Sequence, residues 1–495
     1  MTVPDPVAEH ARRRGSDAAV VTPGFTWTWL DLDARVSVCA ARLRAVAEPL
    51  HISGTDTVWG VTVQAPTSPD LVILVLAALR AGIVLVPLSP RWPRPAAGSA
   101  QARLGLLRRI AETDRPDVHD LDLISLASLV SVAGATPKST ARSLDPERPF
   151  TVVHTSGSTG TPKAALHSVG NHLASARGVI ERLDLRPGDR WWLDLPLEHV
   201  GGLGVVMRCA VAGAAVALPD RGLGLAENLD ALLPTHASLV PTQLGRWLDA
   251  GADTSSLRAV LVGGAATPPD LLDRAVAVGV PVCTSWGMTE MTATVTATPP
   301  GAGRDALATV GAPLAGREVR TDAPASEPGE VWVRGASRFQ GYLGGALGGG
   351  VVTPFDAAGW FATGDLGRLD AAGCLTITGR ADLQFVSGGE NVQPEAIERV
   401  LRGVAGVAEA AVVPVPDAAF GARPVAFVRP ADGSPEGVAL PSALVAALRD
   451  AVRAALPGFM VPDAFHAWAG ADGLKPDRPA LTREAERRAS ATESP

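Results

Sequence analysis

Apolar residues recur at helical spacing across residues 30–46, which predicts a helix with one face turned to a core. Residues 70–80 are apolar nearly all round and predict a buried helix stopped by Gly82. The run Ile83-Val-Leu-Val-Pro-Leu88 then reads as a strand. Residues 150–153, 237–240, 259–262 and 280–283 are further strand-like runs, and 268–278 a helix between them. Strand and helix in alternation imply parallel sheets covered by helices. Residues 330–333 and 373–378 lie beside turn residues and suggest a smaller, antiparallel or barrel-like part before residue 380. Beyond Gly379-Arg-Ala-Asp382 the texture changes: helices over 396–401 and 444–456, strands over 410–415 and 424–428, and a polar loop over 430–441. The fold class expected is therefore a large α/β N-terminal domain followed by a small α+β module. Residues after Glu484 are expected to fray.

At 495 residues the chain exceeds what one core serves, so two or more domains are expected. A net charge of −7 without a basic run argues against a nucleic-acid surface. Cys39, Cys209, Cys283 and Cys374 are far apart, show no metal-ligand spacing and read as buried small residues in a reducing compartment. The start, Met1-Thr-Val-Pro-Asp-Pro6, has no signal pattern. The longest wholly apolar run, 71–79, is too short to span a bilayer, and Arg208 interrupts the longer run 202–218. These features predict a cytoplasmic enzyme with no membrane span. The oligomeric state stays open, a homo-oligomer included.

The chemistry concentrates in His154-Thr-Ser-Gly-Ser-Thr-Gly-Thr-Pro-Lys163, a loop after the strand-like run 150–153. Its hydroxyls, backbone N–H groups and single lysine suit a polyanion. The chain holds 44 Lys plus Arg, of which only Lys138, Lys163 and Lys475 are lysines. Where arginine is the default, a retained lysine points to a need for a compact point charge. The loop is not a Walker P-loop, because Pro162 precedes Lys163 and Ala164 follows it.

Five segments in order carry a family resemblance: Thr155–Lys163, Thr284-Ser-Trp-Gly-Met-Thr-Glu290, Gly359-Trp-Phe-Ala-Thr-Gly-Asp365, Gly379-Arg-Ala-Asp382 and Gly473-Leu-Lys475. Over about residues 20–482 the chain resembles the adenylate-forming superfamily of acyl-CoA synthetases, peptide-synthetase adenylation domains and luciferases. The resemblance implies two half-reactions. A carboxylate attacks the α-phosphate of ATP to give acyl-AMP and pyrophosphate, and a thiol then displaces AMP. It also implies a large domain over 1–379, a hinge at 380–382 and a small mobile domain over 383–495. Thr155, Ser156, Gly157, Ser158, Thr159, Gly160, Thr161 and Lys163 would hold the phosphates. Glu290 would hold Mg²⁺, a task suited to a hard oxygen ligand. Thr289 would donate to the α-phosphate. Trp286 would stack on adenine, with Gly263-Gly264-Ala265 lining the other side of the base. Asp365 would accept from both ribose hydroxyls, Arg380 would contact the nucleotide, and Asp382 would be the hinge. Ala381 stands where a basic residue is common. Lys475 would bridge the attacking carboxylate and the α-phosphate.

Within the superfamily the chain is similar to the o-succinylbenzoate–CoA ligases of menaquinone (vitamin K2) biosynthesis. The similarity rests on Leu195-Pro-Leu-Glu-His199 through Arg208, on Thr235-His-Ala-Ser238 through Gln243, and on Ser387-Gly-Gly-Glu-Asn-Val-Gln-Pro394. Arg208, set among Leu203, Val205, Val206 and Met207, offers a fork for the second carboxylate of such a substrate, with Ser238 as a further substrate contact. His199 could gate the acyl pocket, bind the substrate or belong to the core. No carrier-protein segment follows Lys475, which suits free CoA as acceptor. Another aryl- or acyl-CoA ligase, or an adenylating enzyme loading a separate carrier, stays open.

Overall fold

The stretch with no polar side becomes the helix Pro69–Ala81. Ser68 Oγ accepts from the Leu71 N–H at 3.2 Å and starts it. Gly82 ends it in a left-handed conformation (φ +80°), its N–H donating to Ala78 O. Val72, Ile73, Leu74 and Val75 are fully buried, each contributing about 1.5–3 kcal/mol. The run is core, and no described helix is long and apolar enough to cross a membrane. At its end Arg80 is buried between Asp5 and Asp33, 2.6 Å from each, which ties this helix to the first segment and to the helix Trp29–Val46.

The computed structural model describes residues 2–492 except 51, 53–57, 93, 113–122, 133–142, 156–162, 252, 345–349, 418–419, 432–438 and 469–475. The chain divides into two compact units. One is Met1–Val319 with Val333–Phe361 and Ala371–Leu375; the other is Arg320–Trp332 with Ala362–Asp370 and Thr376–Pro495.

The first unit holds two mixed sheets. In one, Ile83–Pro87 pairs in parallel with Val58–Gln64 and with Pro149–Thr155. The sheet continues antiparallel through Lys163–Ser168 to Gly341–Leu343 and Val351–Val352. In the other, Ala18–Val21, Ala215–Ala217, Arg190–Trp192, His236–Leu239, Ala259–Val262 and Val282–Met288 run parallel in that spatial order. An antiparallel edge, Ala293–Ala297, follows Val282–Met288. The helices Trp29–Val46, Pro69–Ala81, Val169–Leu183 and Val200–Ala212 share one apolar core with strands of both sheets, from Val61, Leu85 and Val153 to Trp191, Val216 and Leu261. The strand expected over 280–283 starts at Val282 and runs on to Met288, carrying Trp286 with it.

The two strand-like runs near residues 330 and 375 are Gly329–Gly335 and Leu375–Arg380, two strands of a four-stranded sheet. In the second unit, Val407–Asp417 and Gly421–Pro430 pair antiparallel, and Ala464–Ala467 adds in parallel. Val412 and Val413 are both buried on opposite faces of this sheet. Val412 packs with Ile397, Leu401, Leu448 and Val452; Val413 packs with Leu481 and Ala485. The second contact corrects the expected fraying. The helix Arg478–Thr492 continues past Glu484 because Leu481 and Ala485, one turn apart, are buried against the sheet. Arg478 adds a 2.7 Å ion pair with buried Glu398. All four cysteines are free, and burial pushes the Cys39 and Cys283 thiols up to about 12; Cys374 is only half-buried, against expectation.

Candidate active site

The segment expected to hold phosphates is bounded by two paired strands. Pro149–Thr155 and Lys163–Ser168 are antiparallel, with Thr155 directly opposite Lys163. Lys163 therefore opens a strand, whereas the lysine of a Walker loop opens a helix. Ser156, Gly157, Ser158, Thr159, Gly160 and Thr161 lie outside the described residues.

Lys163 does not stand alone. Its Nζ lies over the Tyr342 ring, 5.1 Å from the centroid. The Tyr342 hydroxyl donates to Glu290 Oε1 at 2.6 Å. Tyr342 reaches both because Gly341–Leu343 pairs with Lys163–Ser168, with Ala165 opposite Tyr342. So the predicted phosphate lysine and the predicted metal carboxylate meet on one aromatic side chain.

Thr289 and Glu290 sit in the turn Thr289–Met291 after the strand Val282–Met288. That strand passes so close to its neighbour that a Cβ on Gly287 would lie 2.0 Å from Ala293 O, hence glycine. Thr292 (φ 52°) and Ala293 (φ 93°) follow in left-handed conformations that cost non-glycine residues free energy. The turn is held from outside. Thr292 Oγ1 donates to Ser337 O at 2.7 Å, the Phe339 N–H to Glu290 O at 2.8 Å, and Ser175 Oγ to Thr292 O. His167 Nε2 donates to Thr289 O at 2.8 Å. Its Nδ1 is then the acceptor from Thr151 Oγ1, which in turn accepts from His172 Nε2 at 2.8 Å. Burial lowers the His167 pKa to about 4 and keeps the ring neutral.

Of the residues expected to take adenine, Gly263 follows the carboxyl end of the parallel strand Ala259–Val262. A Cβ there would lie 2.6 Å from Ser285 Oγ, and Gly264 needs φ +82°. Gly264 and Ala265 are exposed and Trp286 half-buried on the next strand. Ligands bind outside such strand ends.

Arg208, expected to meet the acid, is 1% exposed on the helix Val200–Ala212. Its Nη1 donates to Ser238 Oγ (3.4 Å) and its Nη2 to Thr294 Oγ1 (3.3 Å), and it lies 5.0 Å from the Trp191 ring centroid. Its Nε is buried with no hydrogen-bond partner among the described residues. No carboxylate pairs with it there, and desolvation lowers its pKa to about 10. Arg317 is a second buried guanidinium, lowered to about 10 by desolvation and by Arg208. Arg317 donates to Ala315 O and Ser175 O at 3.0 Å each, so of the two buried cations Arg208 is the one whose partners are hydroxyls alone among the described residues, and an unpaired buried charge is costly. His199 is exposed at the N-cap of the same helix, so it is not a core histidine.

The second unit groups the remaining residues. Arg380 forms a fork on Asp382, with both contacts at 2.9 Å, and also donates to Asp365 Oδ1 at 3.0 Å. Its pKa is raised, first by the Asp382 hydrogen bonds. Asp365 is 8% exposed and aligned by Thr363, whose Oγ1 takes the Asp365 N–H. Asp382 lies in the turn Ala381–Leu383. Lys475 lies outside the described residues.

Sequence reasoning gave no role to Tyr342, His167, Trp191 or Thr294. Tyr342 carried a signal, being the sole tyrosine in the chain. The others are ordinary core types whose roles come from their neighbours.

A family model for the AMP-binding enzymes matches residues 7–343, and one for the AMP-binding enzyme C-terminal domain matches residues 396–471. A 2-succinylbenzoate–CoA ligase of Escherichia coli K12 is 37% identical over 84% of this chain and 85% of its own. One of Salmonella typhimurium is 38% identical over 81% of each chain. Among solved structures, a variant of E. coli MenE with bound OSB-AMS superposes with a TM-score of 0.80 at 33% identity, covering 98% of both chains. With family models matched in order over residues 7–343 and 396–471 and relatives of this identity over most of the chain, this chain belongs to the AMP-binding enzymes.

Proposed function

We propose that this chain is an AMP-forming ligase that converts 2-succinylbenzoate, ATP and CoA to 2-succinylbenzoyl-CoA, a step of menaquinone biosynthesis. The observation that carries the choice of acid is Arg208, a buried guanidinium with a free Nε and no carboxylate among the described residues. A substrate with two carboxylates can leave one there while the other reacts. The relatives named 2-succinylbenzoate–CoA ligase support the same reading.

The residues divide the work. Thr155, Lys163 and the loop between them hold the β- and γ-phosphates, and Thr289 donates to the α-phosphate. Trp286 and Gly263–Ala265 take the base, Asp365 the ribose hydroxyls, and Arg380 contacts the nucleotide. The site fits Mg²⁺, since Mg²⁺ on a nucleotide needs only one or two carboxylates beside phosphate oxygens, and Glu290 supplies one. When bound, the ion neutralises the phosphates and the leaving pyrophosphate. Arg208 and Ser238 anchor the distal carboxylate, and His199 stands at the N-terminus of the helix that carries Arg208. Lys475 steadies charge where the reacting carboxylate meets the α-phosphate. Asp382 in the 380–382 segment is the hinge between a large domain, 1–379, and a small one, 383–495. ATP and CoA as substrates, with free thiols throughout, suit the cytoplasm.

Pyrophosphate release, measured with 2-succinylbenzoate, benzoate and a long-chain fatty acid, each with and without CoA, tests this. The dicarboxylate should be fastest and acyl-CoA should form from free CoA. Preference for benzoate or the fatty acid refutes the choice of acid; AMP formation indifferent to CoA refutes the acceptor.

A further inference from the structure

Tyr342 touches the two groups on which the first half-reaction depends. Its hydroxyl donates to Glu290 Oε1 at 2.6 Å, and the face of its ring lies under Lys163 Nζ. Its own position is fixed twice. The backbone of Gly341–Leu343 pairs with Lys163–Ser168. The Phe339 ring meets the Tyr342 ring edge-on at 4.8 Å, while the Phe339 N–H holds Glu290 O. One short segment, 339–342, therefore sets both the carboxylate and the ammonium.

Left to themselves in a half-buried site, an ammonium and a carboxylate attract and pair. A Lys163–Glu290 pair would bring each charge to the other and leave less for a polyphosphate and its cation. A phenol avoids this. It is neutral near pH 7, so it orients the carboxylate without cancelling its charge. A carboxylate has two oxygens, and one hydroxyl takes only one of them. The ring face attracts the ammonium without forming an ion pair.

We infer that Tyr342 is a positioning residue for adenylation, holding Glu290 and Lys163 apart and aimed so that both meet Mg·ATP unpaired. The inference rests on the assignment of Glu290 to the cation and Lys163 to the phosphates. It goes beyond that assignment by giving the two residues a shared neutral support.

The test uses Tyr342→Phe, Glu290→Gln and the double variant of the full chain. Calorimetric binding of ATP is followed through a Mg²⁺ titration, with thermal unfolding alongside. Tyr342→Phe keeps the ring and should unfold near the wild-type temperature. It should nevertheless need about ten- to hundred-fold more Mg²⁺ for half-maximal ATP binding, the range for a lost hydrogen bond to a charged group. The double variant should be no worse than Glu290→Gln alone, because the hydroxyl acts through the carboxylate. Tyr342→Leu should bind ATP still more weakly than Tyr342→Phe, since it also removes the ring under Lys163. A wild-type Mg²⁺ midpoint in Tyr342→Phe beside a shifted Glu290→Gln overturns this inference alone, as do additive losses in the double variant. An unshifted Glu290→Gln overturns the cation assignment and this inference with it.

Discussion

Replacing Arg208 with methionine should separate binding from stability in opposite directions. The guanidinium is buried, lies against Trp191 and, among the described residues, donates only to two hydroxyls, Ser238 Oγ at 3.4 Å and Thr294 Oγ1 at 3.3 Å. Both contacts are long for hydrogen bonds, and Nε makes none among the described residues. In the free enzyme the cation thus recovers little of its desolvation cost. An apolar side chain of similar length removes that cost; even replacing a buried ion pair by packed apolar residues is often neutral or stabilising by about 1–4 kcal/mol, and this cation has no such pair among the described residues. Ser238 Oγ keeps the Trp191 Nε1–H at 3.1 Å, so it is not orphaned. With substrate bound the sign reverses. A carboxylate on the fork gains charge-assisted hydrogen bonds of about 1.5–3 kcal/mol, or roughly ten- to hundred-fold in affinity. Arg208→Met should therefore unfold at or above the wild-type temperature while the KM for 2-succinylbenzoate rises by that factor and the KM for ATP stays put. The assay is initial-rate pyrophosphate release with each substrate varied in turn, beside thermal unfolding of the free enzyme. A variant that melts well below wild type with an unchanged KM for the acid would make Arg208 a structural residue. A parallel rise in the KM for ATP would place it with the nucleotide instead.

Lys475→Ala should lose adenylation by about a hundred- to thousand-fold, the cost of removing one preorganised donor, yet convert supplied acyl-AMP and CoA at near the normal rate; equal losses in both half-reactions would assign Lys475 to folding or docking of the small domain. Burial holds His167 near pKa 4, below its ordinary value of 6.5, so between those values the unfolded chain takes a proton that the fold excludes. Stability due to this group is full above pH 6.5 and falls by about 1.4 kcal/mol per pH unit as pH drops toward 4, roughly 3 kcal/mol in all. In urea unfolding, His167→Gln should show a flatter pH dependence than wild type over that window, and identical slopes would mean that His167 is charged in the fold.

Much of this protein was legible along the chain. The helix over 70–80 and the strands over 83–88 and 259–262 came from local pattern: a long run apolar on all sides reads as a buried helix, and a short run rich in β-branched residues beside a glycine, Gly82 or Gly263, reads as a strand. The candidate site residues that the sequence singles out are those whose chemistry depends on type and local order: Lys163 among arginines, Glu290 after Thr-Ser-Trp-Gly-Met-Thr, Asp365 after Thr-Gly. The fate of the last helix was not legible. Arg478–Thr492 is polar in sequence, and only the buried face that Leu481 and Ala485 find against a sheet built some seventy residues earlier keeps it from fraying.

The tertiary structure alone decided what those residues do to one another. Strand pairing brought Tyr342 across from Ala165 and so under Lys163 and against Glu290, residues about 180 and 50 positions away in sequence. The sequence placed Arg208 in an apolar helix with Ser238 as a companion, but not Thr294 and Trp191 beside it, nor the lack of an acid there among the described residues. Periodicity is a property of neighbours along the chain and records which face is buried. Pairing of charges and hydrogen bonds is a property of neighbours in space, set by the register of distant strands, and that register is fixed only when the whole core closes.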